Sequence, residues 1–217
     1  MSFAPFATLT VTEETLEQLA PSWSELLAAV DNRWPFLRPA WLRVWLATQA
    51  PDAELLLLAV RDGPALAGVV PLLVRGAELL LAGDAEICDY MDIVARPGQQ
   101  QPVLRAALSY LNARQWQRLV LWGIRADSPT LAVVQTLAPE HGLSTRIEEE
   151  AVCPRVRLPP TWEEYLLTLS KKDRHELRRK IRRMMEAGDT AREYALTQPD
   201  EIATAMPDFL RLHRLSR

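Results

Sequence analysis

Apolar and polar positions along the chain alternate in blocks that change period several times. Thr12 with Glu13 and Glu14, then Ser22 with Glu25 at capping-box spacing, predict two helical pieces leading to Val30. Pro35 and Pro39 bracket Phe36, and a helix follows with Trp41, Leu42, Trp45 and Leu46 as its stripe. Two tryptophans so close together read as core rather than as a stacking surface for a ligand. The runs ELLLLAV and ALAGVVPLLV flank Asp62-Gly63, a hairpin signal, and Arg75-Gly76 leads into ELLLAG. Cys88 to Ala95 reads as a fourth strand, which makes an antiparallel meander. A helix over Gln101 to Arg114, a strand over Arg118 to Ile124, and a helix capped by Ser128-Pro129 and ending at Gly142 come next.

Ser144 to Leu158 alternates as a long strand does, and Pro159-Pro160 closes it as a linker, which places a domain boundary there. Thr161 with Glu164 caps a short helix carrying Trp162, Tyr165, Leu166 and Leu169. Ser170 with Asp173 caps the next one, the Ser oxygen and the carboxylate each expected to accept from an orphan backbone N–H, and Gly188 supplies its end. In that helix Leu177, Ile181, Met184 and Met185 form one stripe, while Lys171, Lys172, Arg178, Arg179, Arg182 and Arg183 fall on the other side. Arg174 continues the apolar stripe, so its guanidinium needs an acceptor, either a carboxylate or a ligand anion. Arg192 to Leu196 is a short strand, and a last helix starts at Pro199 with Ile202, Met206, Phe209, Leu210 and His213.

Charge sharpens this picture. Lys171 to Arg183 holds three lysines and five arginines against Asp173 and Glu176, in a chain of 217 residues whose net charge is −3. Positive charge confined to one helix argues against a general nucleic-acid binder, which needs a broad basic surface. With 48% hydrophobic residues the chain can build a sizeable core. Cys88 and Cys153 lack CxxC spacing, and His141, His175 and His213 are scattered, so no metal ligand set is expected and a reduced, cytoplasmic setting fits. The start of the chain has no basic-then-apolar leader, and no apolar run reaches the ~20 residues of a membrane span.

Chemistry-bearing motifs are sparse. His175-Glu176 is not HExxH, because Arg179 stands where the second histidine belongs, and GxSxG, P-loop and GxGxxG patterns are absent. Both cysteines sit in apolar contexts that favour inert thiols. The segment ARPGQQQP before Val103 makes a poor phosphate cradle, since only Gly98 is present and Pro97 and Pro102 remove donors. Asp89, Tyr90 and Asp92 are expected on one strand, Asp89 and Met91 facing one way and Tyr90 and Asp92 the other. They present acceptors to a hydroxyl- or amine-bearing substrate, or else one Asp pairs with an arginine such as Arg174 and the rest is strand edge. The cationic helix is a solvated face, a surface for an anionic substrate or donor phosphates, or a contact for membrane or nucleic acid.

The series PFLRPAWL, VRDGPALAGVVPLLV, CDYMDIVARPG, TWEEYLLTLSKKDRHELRRKIRRM and FLRLHRLSR resembles the CelD/BcsL-like branch of the GNAT acetyltransferases, a branch named for cellulose biosynthesis and related in architecture to the FemAB aminoacyltransferases. The resemblance implies an α/β (α+β) fold: a GNAT-like, mixed and largely antiparallel sheet flanked by helices over residues 1–158, then the opening elements of a second GNAT-like half over residues 159–217. It implies acyl transfer from acetyl-CoA or another acyl-CoA, without a metal, to an amine or hydroxyl of a small or glycan-related acceptor. A general base or water chain takes the acceptor proton, and a backbone N–H polarises the thioester. Asp89, Tyr90, Asp92 and Arg174 are the expected acceptor-side residues, and Lys171 and Arg178 the donor-side ones. The strands and loop that hold the acyl donor are expected beyond this stretch of sequence, and neither nucleic acid nor a stable membrane association is expected. The alternative is a non-catalytic module that uses a degenerate first half to bind an acceptor or another subunit.

Overall fold

The computed structural model describes residues 9–30, 34–186 and 195–216. Its contacts divide the chain into two compact units, Met1–Val152 and Cys153–Arg217.

The described part of the first unit opens with a strand where a helix was expected. The β-branched run Thr10–Glu13 (β1) pairs antiparallel with Glu54–Asp62 (β2), Val11 opposite Val60. The helix starts later, as α1 (Leu16–Ala29), behind a complete capping box. Thr15 Oγ1 accepts from Gln18 N–H at 3.3 Å and Gln18 Oε1 accepts from Thr15 N–H at 3.0 Å. Ser22 lies inside that helix with its hydroxyl turned back on Leu19 O, so the Ser22/Glu25 spacing opens nothing. The α2 helix (Pro39–Gln49) forms with Pro39 in its first turn and buries Leu42 and Trp45.

Two tight hairpins build the sheet. Asp62 pairs with Ala65, so the turn between β2 and β3 (Ala65–Arg75) is Gly63-Pro64, one residue later than the Asp-Gly signal suggests, with Gly63 at φ 55°. The next hairpin turns at Gly76 into β4 (Glu78–Leu81). The sheet order is β1-β2-β3-β4-β6, where β6 (Arg118–Val120) runs parallel to β4 and every other pairing is antiparallel. A short strand β5 (Val94–Ala95) pairs with β3 on the edge that β4 also uses. Residues 66–73 of β3 form an unbroken buried run, so both sheet faces are covered, and α1 and α3 (Gln100–Leu111) both pack on this strand. At Gly68 a Cβ would fall 2.5 Å from Val103 Cγ1 and 2.9 Å from Val94 O, so glycine is what lets α3 cross there. The mixed, mainly antiparallel sheet flanked by helices is the fold class the sequence leads one to expect. After β6 come α4 (Pro129–Leu137) and a 3-10 turn ending at Gly142, φ 71°.

Three expected strands differ. Cys88 to Ala95 contributes only Val94–Ala95, and Arg118 to Ile124 only its first three residues. Ser144 to Leu158 forms no strand at all, and Val152 and Val156 are 76% and 70% exposed.

The second unit holds α5 (Trp162–Thr168), α6 (Lys171–Glu186) and α7 (Pro199–Leu215). Thr161 accepts from Glu164 N–H at 3.2 Å, as its motif predicts. Ser170 Oγ accepts from Asp173 N–H at 3.1 Å, but the Asp173 carboxylate takes the Ser170 hydroxyl at 2.7 Å, not a backbone N–H. Leu166 is buried; α6 and α7 have no buried residue. Gly188 and residues 192–194 of the expected strand lie outside the described residues, and Ala195 and Leu196 are not in a strand.

Candidate functional site

The site grows out of a break in strand pairing. Pro71 sits in the middle of β3, opposite Leu57, and its carbonyl accepts from Ala82 N–H at 3.0 Å, toward the edge shared by β4 and β5. A residue's N–H and C=O leave a strand on the same side, so the donor that proline lacks belongs to that edge. There β4 stops and β5 has not begun, and residues 82–93 leave the sheet. Asp84 folds the start of this excursion, its carboxylate accepting from Glu86 N–H at 2.7 Å and its carbonyl from Cys88 N–H at 2.8 Å.

Beyond Val120 the chain following β6 is fastened to the excursion. Met91 N–H donates to Gly123 O at 3.0 Å and Trp122 Nε1 donates to Leu81 O at 2.9 Å. An indole and the buried Met91 side chain thus pack around Gly83, just past the end of β4.

Asp89, Tyr90 and Asp92 therefore lie on the excursion and not on a strand. Asp89 is exposed while Met91 is buried, so the two do not share a face. Asp92 is the hub. Its Oδ1 accepts from Ile93 N–H at 2.8 Å and from the Thr130 hydroxyl at 2.6 Å, and its Oδ2 accepts from the Ser128 hydroxyl at 2.6 Å. Ser128 serves twice, since its Oγ also accepts from Thr130 N–H at 3.1 Å as the N-cap of α4. Burial pushes the Asp92 carboxyl above the usual range, offset in part by the hydroxyls, by Ile93 N–H and by the nearby Arg125 charge.

Arg125 forms a bidentate pair with Asp127, Nε to Oδ1 at 2.7 Å. Its guanidinium lies over the rings of Trp34, at 5.3 Å, and Tyr90, at 6.0 Å, whose centroids are 4.3 Å apart. Tyr90 and Asp92 thus meet with Trp34, Arg125, Ser128 and Thr130, four residues the sequence did not single out for this role. The Ser128-Pro129 cap was visible; its service to a carboxylate 36 residues away was not.

The other expected residues lie in the second unit. Lys171 is exposed in the first turn of α6, and Arg174 is half-buried. Arg178 pairs with Glu163 at 3.0 Å beside a groove of about 480 Å³ lined by Trp162, Leu166, Ile181 and Met185. Asp92 takes its three hydrogen bonds from Ile93, Ser128 and Thr130, so Arg174 is not needed to satisfy it.

The turn before α3 offers few backbone donors. Before α3, Gln99 N–H is spent on Arg96 O at 2.9 Å, Pro102 has no N–H, and the buried Gln99 Oε1 is an acceptor without a protein partner. Only Gln100 and Gln101 keep orphan donors in that first turn. No helix among the described residues is long and apolar enough to cross a membrane.

No protein-family model matches the chain, and no curated protein matches it. Among solved structures, the crystal structure of ribosomal-protein-alanine N-acetyltransferase from Brucella melitensis biovar Abortus 2308 is similar, with a TM-score of 0.40 and 12% sequence identity over 68% of this chain and 99% of that one.

Proposed function

We propose that the chain is part of an acyl-CoA-dependent N- or O-acyltransferase of the CelD/BcsL-like kind, in which the first unit receives a small or glycan-related acceptor and does not hold the donor. One observation carries this reading: the space just past the end of β4 is packed by Trp122 and Met91, while Asp92 and Tyr90 of the excursion gather with Trp34 and Arg125. A slot filled by the chain's own side chains has no room for a pantetheine arm, whereas half-buried polar and aromatic groups suit recognition of a polar acceptor. Asp89, Tyr90 and Asp92 orient the acceptor, and Arg174 is a further acceptor-side group. On the donor side, Lys171 and Arg178 are assigned to the phosphates, where a lysine supplies a point charge and an arginine a planar fork.

Isothermal titration of the chain with acetyl-CoA tests the assignment. Any binding should weaken with salt and vanish in the Lys171→Ala/Arg178→Ala double variant. Micromolar binding that survives that substitution would return the donor to the first unit and sink the reading.

A second reading, a non-catalytic acceptor-binding or scaffolding module, draws support from Asp92, most of whose accepting capacity is already spent on Ser128, Thr130 and Ile93. Incubation with acetyl-CoA and a panel of amines and sugars separates the two, because a module binds without turning over.

A further inference from the structure

Three parts of the first unit meet around a cavity of about 450 Å³: the C-terminal half of α1, the turn between β2 and β3, and the loop from β5 into α3. Leu26, Leu66 and Pro97 give it apolar walls, and Glu25, Arg96 and Gln99 give it polar ones. These polar groups are only partly used by the protein. Gln99 Oε1 is buried and accepts no hydrogen bond from the chain, a costly state for an amide oxygen that a bound donor relieves. Arg96 spends its Nε on Leu66 O at 2.8 Å, and neither Arg96 nor Glu25 forms an ion pair among the described residues. The loop that carries Arg96 and Gln99 is fixed by its own backbone, since Arg96 N–H donates to Ala67 O and Gln99 N–H to Arg96 O, both at 2.9 Å.

We infer that this cavity binds a free aliphatic α-amino acid. The ligand carboxylate meets the Arg96 guanidinium, its ammonium donates to Glu25 and to Gln99 Oε1, and its side chain lies against Leu26 and Leu66. A carboxylic acid without the ammonium would meet like charge at Glu25, and an amine without the carboxylate would meet like charge at Arg96. A zwitterion answers both at once. Phosphates fit worse, because Glu25 opposes their charge and the turn before α3 has few N–H groups to offer. The inference uses none of the residues assigned to acceptor or donor, and it stands whether or not the chain transfers acyl groups.

Isothermal titration of the full chain tests it with L-leucine, with L-leucinamide, which lacks the carboxylate, and with isocaproate, which lacks the ammonium. L-Leucine is expected to bind, and each analogue to bind about tenfold more weakly or worse, as the loss of one charge-assisted contact predicts. Gln99→Met keeps the length of the side chain and removes the acceptor. It is expected to weaken L-leucine binding about tenfold while raising the thermal midpoint of the free chain, because a buried orphan oxygen is gone. A purely structural Gln99 would move the midpoint and leave binding untouched. Glu25→Gln changes an exposed position of α1, so it keeps the test open should Gln99→Met fail to fold, and it too should weaken L-leucine about tenfold. No binding of L-leucine at millimolar concentration, equal binding of isocaproate, or unchanged affinity in either variant that folds would overturn the proposal.

Discussion

Helices α3 and α6 look alike as patterns and end differently. Val103, Leu104, Ala107, Leu108 and Leu111 of α3 are all buried, whereas Leu177, Ile181, Met184 and Met185 of α6 are not, and Met185 is 72% exposed. Both stripes have the spacing of an amphipathic helix. What separates them is the surface each meets: α3 crosses β3 where Gly68 lets the two backbones approach, while the wet side of α6 is a field of cations tied to local carboxylates such as Glu176 and Glu186. Periodicity chooses a face; only a complementary surface turns that face into core.

The contrast can be broken most forcefully by truncation. Leu108→Ala should cost about 2–5 kcal/mol in urea unfolding, the range for a buried leucine, and Ile181→Ala under about 1 kcal/mol. Similar losses at the two positions would show that α6 is packed in solution as tightly as α3. Gly68→Ala should cost about 1–3 kcal/mol, because the new methyl meets Val103 and the Val94 carbonyl and α3 must retreat.

Ion pairs sharpen the same comparison. Glu14 and Arg61 form a part-buried bidentate pair at 2.9 Å, whereas Arg178–Glu163 is exposed. Glu14→Gln should destabilise by about 1–2 kcal/mol at neutral pH, while Glu163→Gln should change little. The Arg61 hydrogen bond lowers the Glu14 pKa, so its contribution is present above the unfolded carboxylate value and is lost as pH falls through the lower folded one. Thermal unfolding of Glu14→Gln and native protein at pH 7 and near pH 3 reads this, and a difference independent of pH would refute it.

Asp92 has the opposite sign and the smallest expected effect. Burial raises its pKa, so the folded chain holds the proton more tightly, and stability should fall as pH climbs from about 4 toward the raised folded value. Asp92→Asn removes that slope. Superimposable pH profiles for native and variant chains would count against a desolvated carboxyl.

Much of both units was legible because their signals are local. The Gly63 and Gly76 turns, the Pro39 and Ser128-Pro129 starts, and the Thr161 and Ser170 caps all act over two to four residues. Thr12 misled because a β-branched residue before two glutamates can open a helix or pair with a strand, and β2 was there to pair with. Ser144 to Leu158 misled in the other direction, with alternation but no ladder. Of the site, Tyr90 and Asp92 were visible as an unusual polar pair in an apolar neighbourhood. Trp34, Arg125 and Thr130 were not, since each is an ordinary residue until the excursion folds against it.

The sequence alone thus determined where most helices begin and roughly where the hairpins turn, which face of each helix is apolar, and that cationic charge collects in one of them. Those properties depend on backbone torsions and on hydrogen bonds that close within a turn. The tertiary structure decided that pairing breaks at Pro71, that the released loop is sutured to Gly123, and that Asp92 meets the cap of α4. These are bonds between groups far apart in the chain, formed only once burial of the apolar faces has brought them together and left each polar group in need of a partner.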